Sequence, residues 1–220
     1  MPDPLPILHP LTDVPAGATL RSVTAGPAVI DGKQVLSVRL TDAIAADGHP
    51  GVDYVDQPTF VIIPADFTFG TIDIDVSSGL TPTAPDFARG FAGLAYHLTG
   101  DGERFEAVYL RPLNGATLNP PSPRHLRAVQ YFAYPDWPFD RLRDTYPEET
   151  YEAGADIRPD EWIHLQVRVT ETGVSVLVDD SVVLTVAEPK AVPIAGSLGL
   201  FVDIGTQAYF SDLRITSRHE

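Results

Sequence analysis

Apolar and polar residues alternate along most of this chain with a period of two, the spacing of strands rather than helices. The segment 173–178 shows it most clearly. Val174, Val176 and Val178 alternate with Ser175 and Leu177, and Asp179-Asp180 then supplies a two-residue turn into 182–186. Aspartate tolerates the left-handed backbone that tight hairpins demand. Similar runs rich in Val, Ile, Phe, Tyr and Thr predict strands at 34–40, 59–63, 68–76, 90–98, 105–111 and 128–134. Further strands are predicted at 162–170, 173–178, 181–186, 197–202 and 208–215. Prolines and glycines separate them. Helical periodicity is nearly absent, and 139–145, where Leu142 lies between Arg141 and Arg143, is expected to hold at most one short turn.

Strands repeated at this density without intervening helices predict an all-β fold, a two-sheet antiparallel jelly-roll sandwich. The 220 residues suit one domain spanning 1–220, with 1–15 as an extended, Pro-rich N-terminal arm. Several strands are apolar on both faces, as happens when a loop covers the outer side of a sheet.

Composition narrows the chemistry. The chain has no cysteine, which excludes disulfides, thiolate metal sites and a cysteine nucleophile. Fifteen Lys and Arg face thirty Asp and Glu, a formal charge of −15 that repels nucleic acid and anionic membranes. Its plainest role is solubility. No basic stretch followed by an apolar one opens the sequence, and no apolar run approaches the ~18 residues of a spanning helix. A soluble, cytoplasmic protein is therefore expected.

The stretch 114–151 breaks the strand pattern, being dense in Pro, Arg, Asp and aromatics. Long ordered loops in compact domains are usually functional. Around it, alternation assigns faces. Val108 and Leu110 suit the core, which sends Tyr109 and Arg111 to the other face. Val129, Tyr131 and Ala133 point inward, leaving Gln130, Phe132 and Tyr134 outward. Ala92, Leu94, Tyr96 and Leu98 suit the core, so His97 is expected to face out. On neighbouring strands, His97, Tyr109, Arg111 and Gln130 would share one outer face. That mixture of an aromatic platform and planar hydrogen-bonding groups suits a sugar. Trp137, in Tyr134-Pro135-Asp136-Trp137, reads equally as a stacking ring and as a lid. Trp162 is expected in the core, although alternation with Ile163, Leu165 and Val167 argues the other way.

Acids are plentiful near the same stretch: Glu103, Glu106, Asp136, Asp140, Glu148, Glu149, Glu152 and Asp156. A glycosidase needs two carboxyls roughly 5–9 Å apart. Glu152, Asp156, Asp136 and Glu106 are the candidates, Glu106 the weakest because alternation sets it with Val108 and Leu110. The six histidines, His9, His49, His97, His125, His164 and His219, show no metal-binding spacing. No cofactor is expected. Asp73 and Asp75 alternate on one strand and would suit a structural calcium ion if a loop completed the shell.

Several segments carry a family resemblance: Gly90-Phe91-Ala92-Gly93-Leu94-Ala95-Tyr96, then the run from Phe105 to Gly115, then Val129-Gln130-Tyr131. Glu161-Trp162-Ile163, Gly199-Leu200-Phe201-Val202 and the run from Gly205 to Leu213 extend it. From about Val55 to Thr216 the chain resembles the concanavalin A-like lectin/glucanase superfamily, and within it the laminin-G-like jelly rolls related to the 3-keto-disaccharide hydrolase family. The resemblance implies a saccharide ligand on a concave sheet, with Arg111 and Gln130 matching an Arg and a Gln kept by those relatives. Where they commonly place a Glu before the Gln strand, this chain has Arg127-Ala128-Val129, which weighs against hydrolysis. The expectation is a carbohydrate-active protein binding a saccharide or glycoside on its concave face. Tyr109 and Trp137 would stack, with Arg111, Gln130, His97 and Tyr134 beside them. The alternatives are a glycoside hydrolase on the same face and a protein-interaction module.

Overall fold

The computed structural model describes residues 5–147 and 151–218. Half of the chain is strand and about a tenth is helix. Before the first helix come β1 (Ile7–His9), β2 (Thr19–Arg21), β3 (Val23–Ile30) and β4 (Lys33–Leu40). The short helix α1 (Asp42–Asp47) follows, capped by the Thr41 side chain accepting from the Ile44 N–H. The middle holds β5 (Phe60–Phe67), β6 (Phe69–Leu80), β7 (Ala92–Leu98), β8 (Phe105–Leu110) and β9 (Val129–Tyr134). Helix α2 (Phe139–Thr145) and β10 (Glu152–Ala153) come next. The chain closes with β11 (Ile163–Thr170), β12 (Gly173–Val178), β13 (Ser181–Val186), β14 (Gly196–Val202) and β15 (Thr206–Arg218).

Two antiparallel sheets result. The larger runs β13-β12-β11-β6-β15-β4-β3, with β1 also on β15, and the smaller runs β10-β9-β8-β7-β14-β5-β2. The expected sandwich is therefore present, and the expected hairpin pairs β12 with β13 through Asp179 and Asp180, both at positive φ. Near the start of the described residues, β1 is stitched to β15 by Ile7 opposite Ile215.

In the larger sheet one face is apolar: Ile72, Ile74 and Val76 on β6, and Leu165 and Val167 on β11, are buried. The other face is wetter. Trp162 follows that outer parity and is only half-buried, with the Lys33 ammonium 4.7 Å from its ring centroid. Its expected core position is thus corrected, because alternation with Ile163 and Leu165 turns the ring outward. Asp73 and Asp75 share this face, where the expected calcium ligands pair instead with Gln166, His164 and Lys33.

The smaller sheet is buried on both faces. Leu94, Val108, Leu110, Val129 and Tyr131 share one face by register. Phe60, Phe105, Ala107, Tyr109, Phe132 and Phe201 fill the other, all with exposures of 2% or less. Helix α2 and the segment around Asp56 lie over this second face: the Phe139 N–H donates to Asp56 Oδ2 at 2.6 Å, and the Arg111 guanidinium sits 5.3 Å from the Phe139 ring. Leu142 of α2 is fully buried. The cover is what makes strands of the smaller sheet apolar on both sides.

Candidate functional site

The site grows from the end of β8. Tyr109 pairs with Gly93 on β7 and Gln130 on β9. A Cβ on Gly93 would lie 2.1 Å from the Val108 carbonyl oxygen and 2.6 Å from the Tyr109 Cα, so only glycine permits this close pairing. The Tyr109 ring then packs edge-on against Phe91 and Phe132 and lies tilted on Phe201. Its hydroxyl accepts from Arg111 Nη2 at 2.9 Å. Arg111 itself is 5% exposed, and its other terminal nitrogen reaches Glu152 at 3.3 Å.

A cleft of about 250 Å³ opens beside this pair. Asp56, Tyr109, Arg111 and Asp203 form its buried floor, with Asn114 beside them. Phe91 and Phe139 are half-buried walls, Arg89 is half-buried beside them, and Phe87 and Arg124 stand toward solvent. Asp203 accepts three backbone N–H groups, from Val55 at 3.0 Å, Asp56 at 3.1 Å and Ile204 at 2.6 Å. Asp56 Oδ1 and Asn114 Oδ1 have no hydrogen-bond partner among the described residues. Buried polar atoms without a protein partner are costly and uncommon, so these two oxygens call for a partner from water or from a ligand.

Electrostatics distinguish these two aspartates. Burial pushes Asp56 up to about 7, and the nearby Asp203 charge adds to the rise against the opposing Phe139 N–H and Arg111. Burial raises Asp203 as well, against its three backbone donors. Arg89 moves the other way. Burial lowers its pKa, and repulsion from Arg124 and Arg111 lowers it further, with only Asp86 opposing.

A second cleft, of about 300 Å³, lies behind α2 and is lined by Arg127, Gln130, Phe139, Leu142, Arg143, Tyr146, Pro147, Tyr151 and Glu152. Gln130 is buried there, its amide donating to the Tyr131 and Tyr151 carbonyls at 2.7 and 3.1 Å. Glu152 is clasped by Arg143 at 2.7 Å, Arg127 at 2.9 Å and Arg111 at 3.3 Å.

The expected open face is therefore corrected in part. Tyr109, Arg111 and Gln130 do share one face, but Tyr109 and Gln130 are buried and open onto different clefts. His97 is on the other side altogether. Tyr96 and His97 together oppose Leu198, a bulge with His97 at φ +55°, and the extra residue turns the imidazole inward. There His97 Nδ1 meets Glu106 at 2.7 Å and Nε2 meets the Thr68 carbonyl at 2.7 Å. Glu106 also accepts from the Tyr131 hydroxyl, which accepts in turn from the Lys190 N–H at 2.8 Å. Glu106 and His97 thus form an interior polar chain apart from the Arg111 cleft.

Tyr134 stacks on Phe105, with centroids 5.1 Å apart and planes 14° apart. Trp137 packs against Tyr146 at 5.5 Å, beneath Arg141 at 4.6 Å. Both border a third, 200 Å³ hollow with Asp136 and Lys190. The expected acids do not converge: Glu106 is interior, Glu152 is clasped by arginines, and Asp136 and Asp156 are exposed. Glu148, Glu149 and His219 lie outside the described residues. Among the described residues no group of three or more His, Asp and Glu is placed to hold a metal ion, and no helix is long and apolar enough to cross a membrane.

Asp56, Asp203, Phe87 and Arg89 were not among the expected site residues. Asp56 and Asp203 each sit in a loop, where alternation assigns no face. Arg89 immediately precedes Gly90-Phe91, at the start of the segment that carried the family resemblance, and Arg124 lies in the Pro-rich stretch singled out above.

No protein-family model and no curated protein matches the chain. Solved structures do. A Bacillus subtilis protein of unknown function with a galectin-like fold aligns at TM-score 0.57 and 14% identity, over 96% of each chain. The carbohydrate binding module CBM66 from Bacillus subtilis aligns at TM-score 0.51 and 15% identity, over 88% of this chain and 94% of that one. A Parabacteroides distasonis protein described as a candidate glycosyl hydrolase aligns at TM-score 0.52 and 12% identity, over 94% and 91%. At these identities the likeness is one of fold, and the chain is a two-sheet jelly-roll sandwich.

Proposed function

We propose that this protein binds a saccharide in the cleft floored by Asp56, Tyr109 and Arg111. The observation that carries the reading is the pair of buried oxygens, Asp56 Oδ1 and Asn114 Oδ1, that lack protein partners at the foot of an open, aromatic-walled cleft. Sugar hydroxyls both donate and accept, which suits the Asn114 carbonyl oxygen and Asp56 in either protonation state, and sugar C–H faces pack on aromatic rings such as Phe87 and Phe91. Arg111 supplies the fixed donors. A carbohydrate binding module with the same fold supports the reading.

A glycan array probed with the purified protein, followed by calorimetric titration of the best hit, tests it. Arg111→Ala should remain folded and bind that hit about tenfold or more weakly, the scale of a lost hydrogen bond to a charged donor. Undiminished affinity in folded Arg111→Ala overturns the reading.

Glycoside cleavage is the second reading. It is favoured by Asp56 and Asp203, two carboxyls in the cleft, of which Asp56 is protonated to a substantial degree near neutral pH. A chromogenic-glycoside screen decides it: turnover by the native protein that Asp56→Asn abolishes supports cleavage, and silence throughout the screen removes it.

A further inference from the structure

We propose that the saccharide bound in this cleft is acidic, and that its carboxylate or sulfate lies between Arg89 and Arg124 at the mouth. This inference rests on the saccharide reading above and names the ligand's class.

The charge distribution carries it. The chain bears a formal charge of −15, yet four of its fifteen Lys and Arg residues, Arg89, Arg111, Arg124 and Arg143, line this one cleft. Two of the four are already engaged, since Arg111 and Arg143 both reach Glu152. Arg89 and Arg124 are not. Among the described residues neither forms an ion pair with a carboxylate, and Arg89 spends Nη1 on the carbonyls of Asp86 and Ala88 at 2.7 and 2.6 Å. Guanidinium groups repel one another, so bringing two of them to one mouth is unfavourable unless an anion joins them. Arginine suits the purpose because its planar fork binds carboxylate or sulfate oxygens in pairs.

The floor adds an independent sign. Asn114 and Asp56 are buried and line the cleft with one oxygen each unpartnered, so a ligand that enters is matched best by hydroxyl groups at depth, a donor for Asn114 Oδ1 among them. Sulfate and chloride offer no donor there. An acidic sugar has both, an anionic group for the mouth and hydroxyl groups for Asp56 and Asn114. Asp203 does not compete for the arginines, because its oxygens face the backbone N–H groups of Val55, Asp56 and Ile204.

The test compares matched ligands by calorimetric titration: uronate oligosaccharides, the same oligosaccharides after carboxyl reduction, and sulfated oligosaccharides with their desulfated counterparts. The native protein should bind at least one acidic member tenfold or more tighter than its neutral counterpart, with affinity falling as salt rises. Which pair shows the preference tells carboxylate from sulfate. Arg89→Gln and Arg124→Gln should remain folded and lose most of that preference, the double variant more than either alone. Equal binding of acidic and neutral partners overturns the inference. If that neutral binding is weakened by Arg111→Ala, the saccharide site itself stands. A preference that survives in the double variant also overturns it, and no binding on a glycan array containing acidic and neutral sugars overturns both readings.

Discussion

Arg111 and Glu152 meet at 3.3 Å, tying the end of β8 to β10, the edge strand of the smaller sheet. The contact is one of three that Glu152 makes to guanidinium groups, and Arg111 donates separately to the Tyr109 hydroxyl. Arg111 is therefore both a structural partner and part of the cleft floor. The acid is the hub, because its removal leaves three arginines facing one another.

Glu152→Gln should accordingly cost more than Arg111→Ala. About 3 kcal/mol is expected for Glu152→Gln, the scale for breaking a buried ion pair from one side. Arg111→Ala should cost about 1–2 kcal/mol, since Glu152 keeps Arg127 and Arg143. Urea unfolding of the two variants checks the order, and a larger loss in Arg111→Ala would contradict it.

Asp56 makes stability depend on pH with a defined sign. Its folded pKa of about 7 lies above the ordinary 3.8, so the folded protein binds more protons between those values. Stability from this group is then greatest at low pH and falls as pH rises from about 4 to 7. Asp56→Asn keeps an acceptor for the Phe139 N–H and removes the titration. Relative to the native protein, the variant should gain about 2–3 kcal/mol between pH 5 and pH 8. Chemical unfolding at the two pH values measures it. Asp203 titrates in the same sense and is present in both proteins, so the difference between them reports Asp56 together with its coupling to Asp203.

The interior chain through His97, Glu106 and Tyr131 should matter for folding rather than binding. His97→Ala leaves Glu106 in the core with only the Tyr131 hydroxyl, and about 3–5 kcal/mol of stability should be lost. Ligand affinity of the folded fraction should stay native. A fall in affinity without a fall in melting temperature would place His97 in the site after all.

Trp162 and Tyr131 offer a packing test. Trp162 is half-buried on the outer face of the larger sheet, so Trp162→Ala should cost only about 1–2 kcal/mol. Tyr131→Ala empties a fully buried position and leaves Glu106 with His97 alone, and about 4 kcal/mol or more is expected. Comparable melting temperatures in the two variants would show that the division between core and surface is wrong.

The strand pattern was legible because it is local. Gly173–Val178 and Ser181–Val186 coincide with the expected runs, and the faces of Val108, Leu110, Val129 and Tyr131 follow from alternation alone. Elements whose pairing rather than composition makes them strands were not legible. β3 contains Gly26-Pro27 and survives as an edge strand, where a proline needs no ladder partner on its outer side. β10 is two residues long and exists by pairing Glu152 with Gln130.

By itself, then, the sequence determined an antiparallel sandwich, the inward and outward parity of its regular strands, and the placement of Tyr109 and Arg111 on the side away from Leu110. Tertiary structure decided the rest. A single bulge opposite Leu198 sent His97 into the core, since one extra residue reverses every side chain's face. Folding of α2 over the smaller sheet turned an expected open platform into separate clefts. The loops at Asp56, Arg89, Arg124 and Asp203 came together from distant parts of the chain. No periodicity links such positions, because a loop's side chains are aimed by what the loop packs against and not by the repeat of its own backbone.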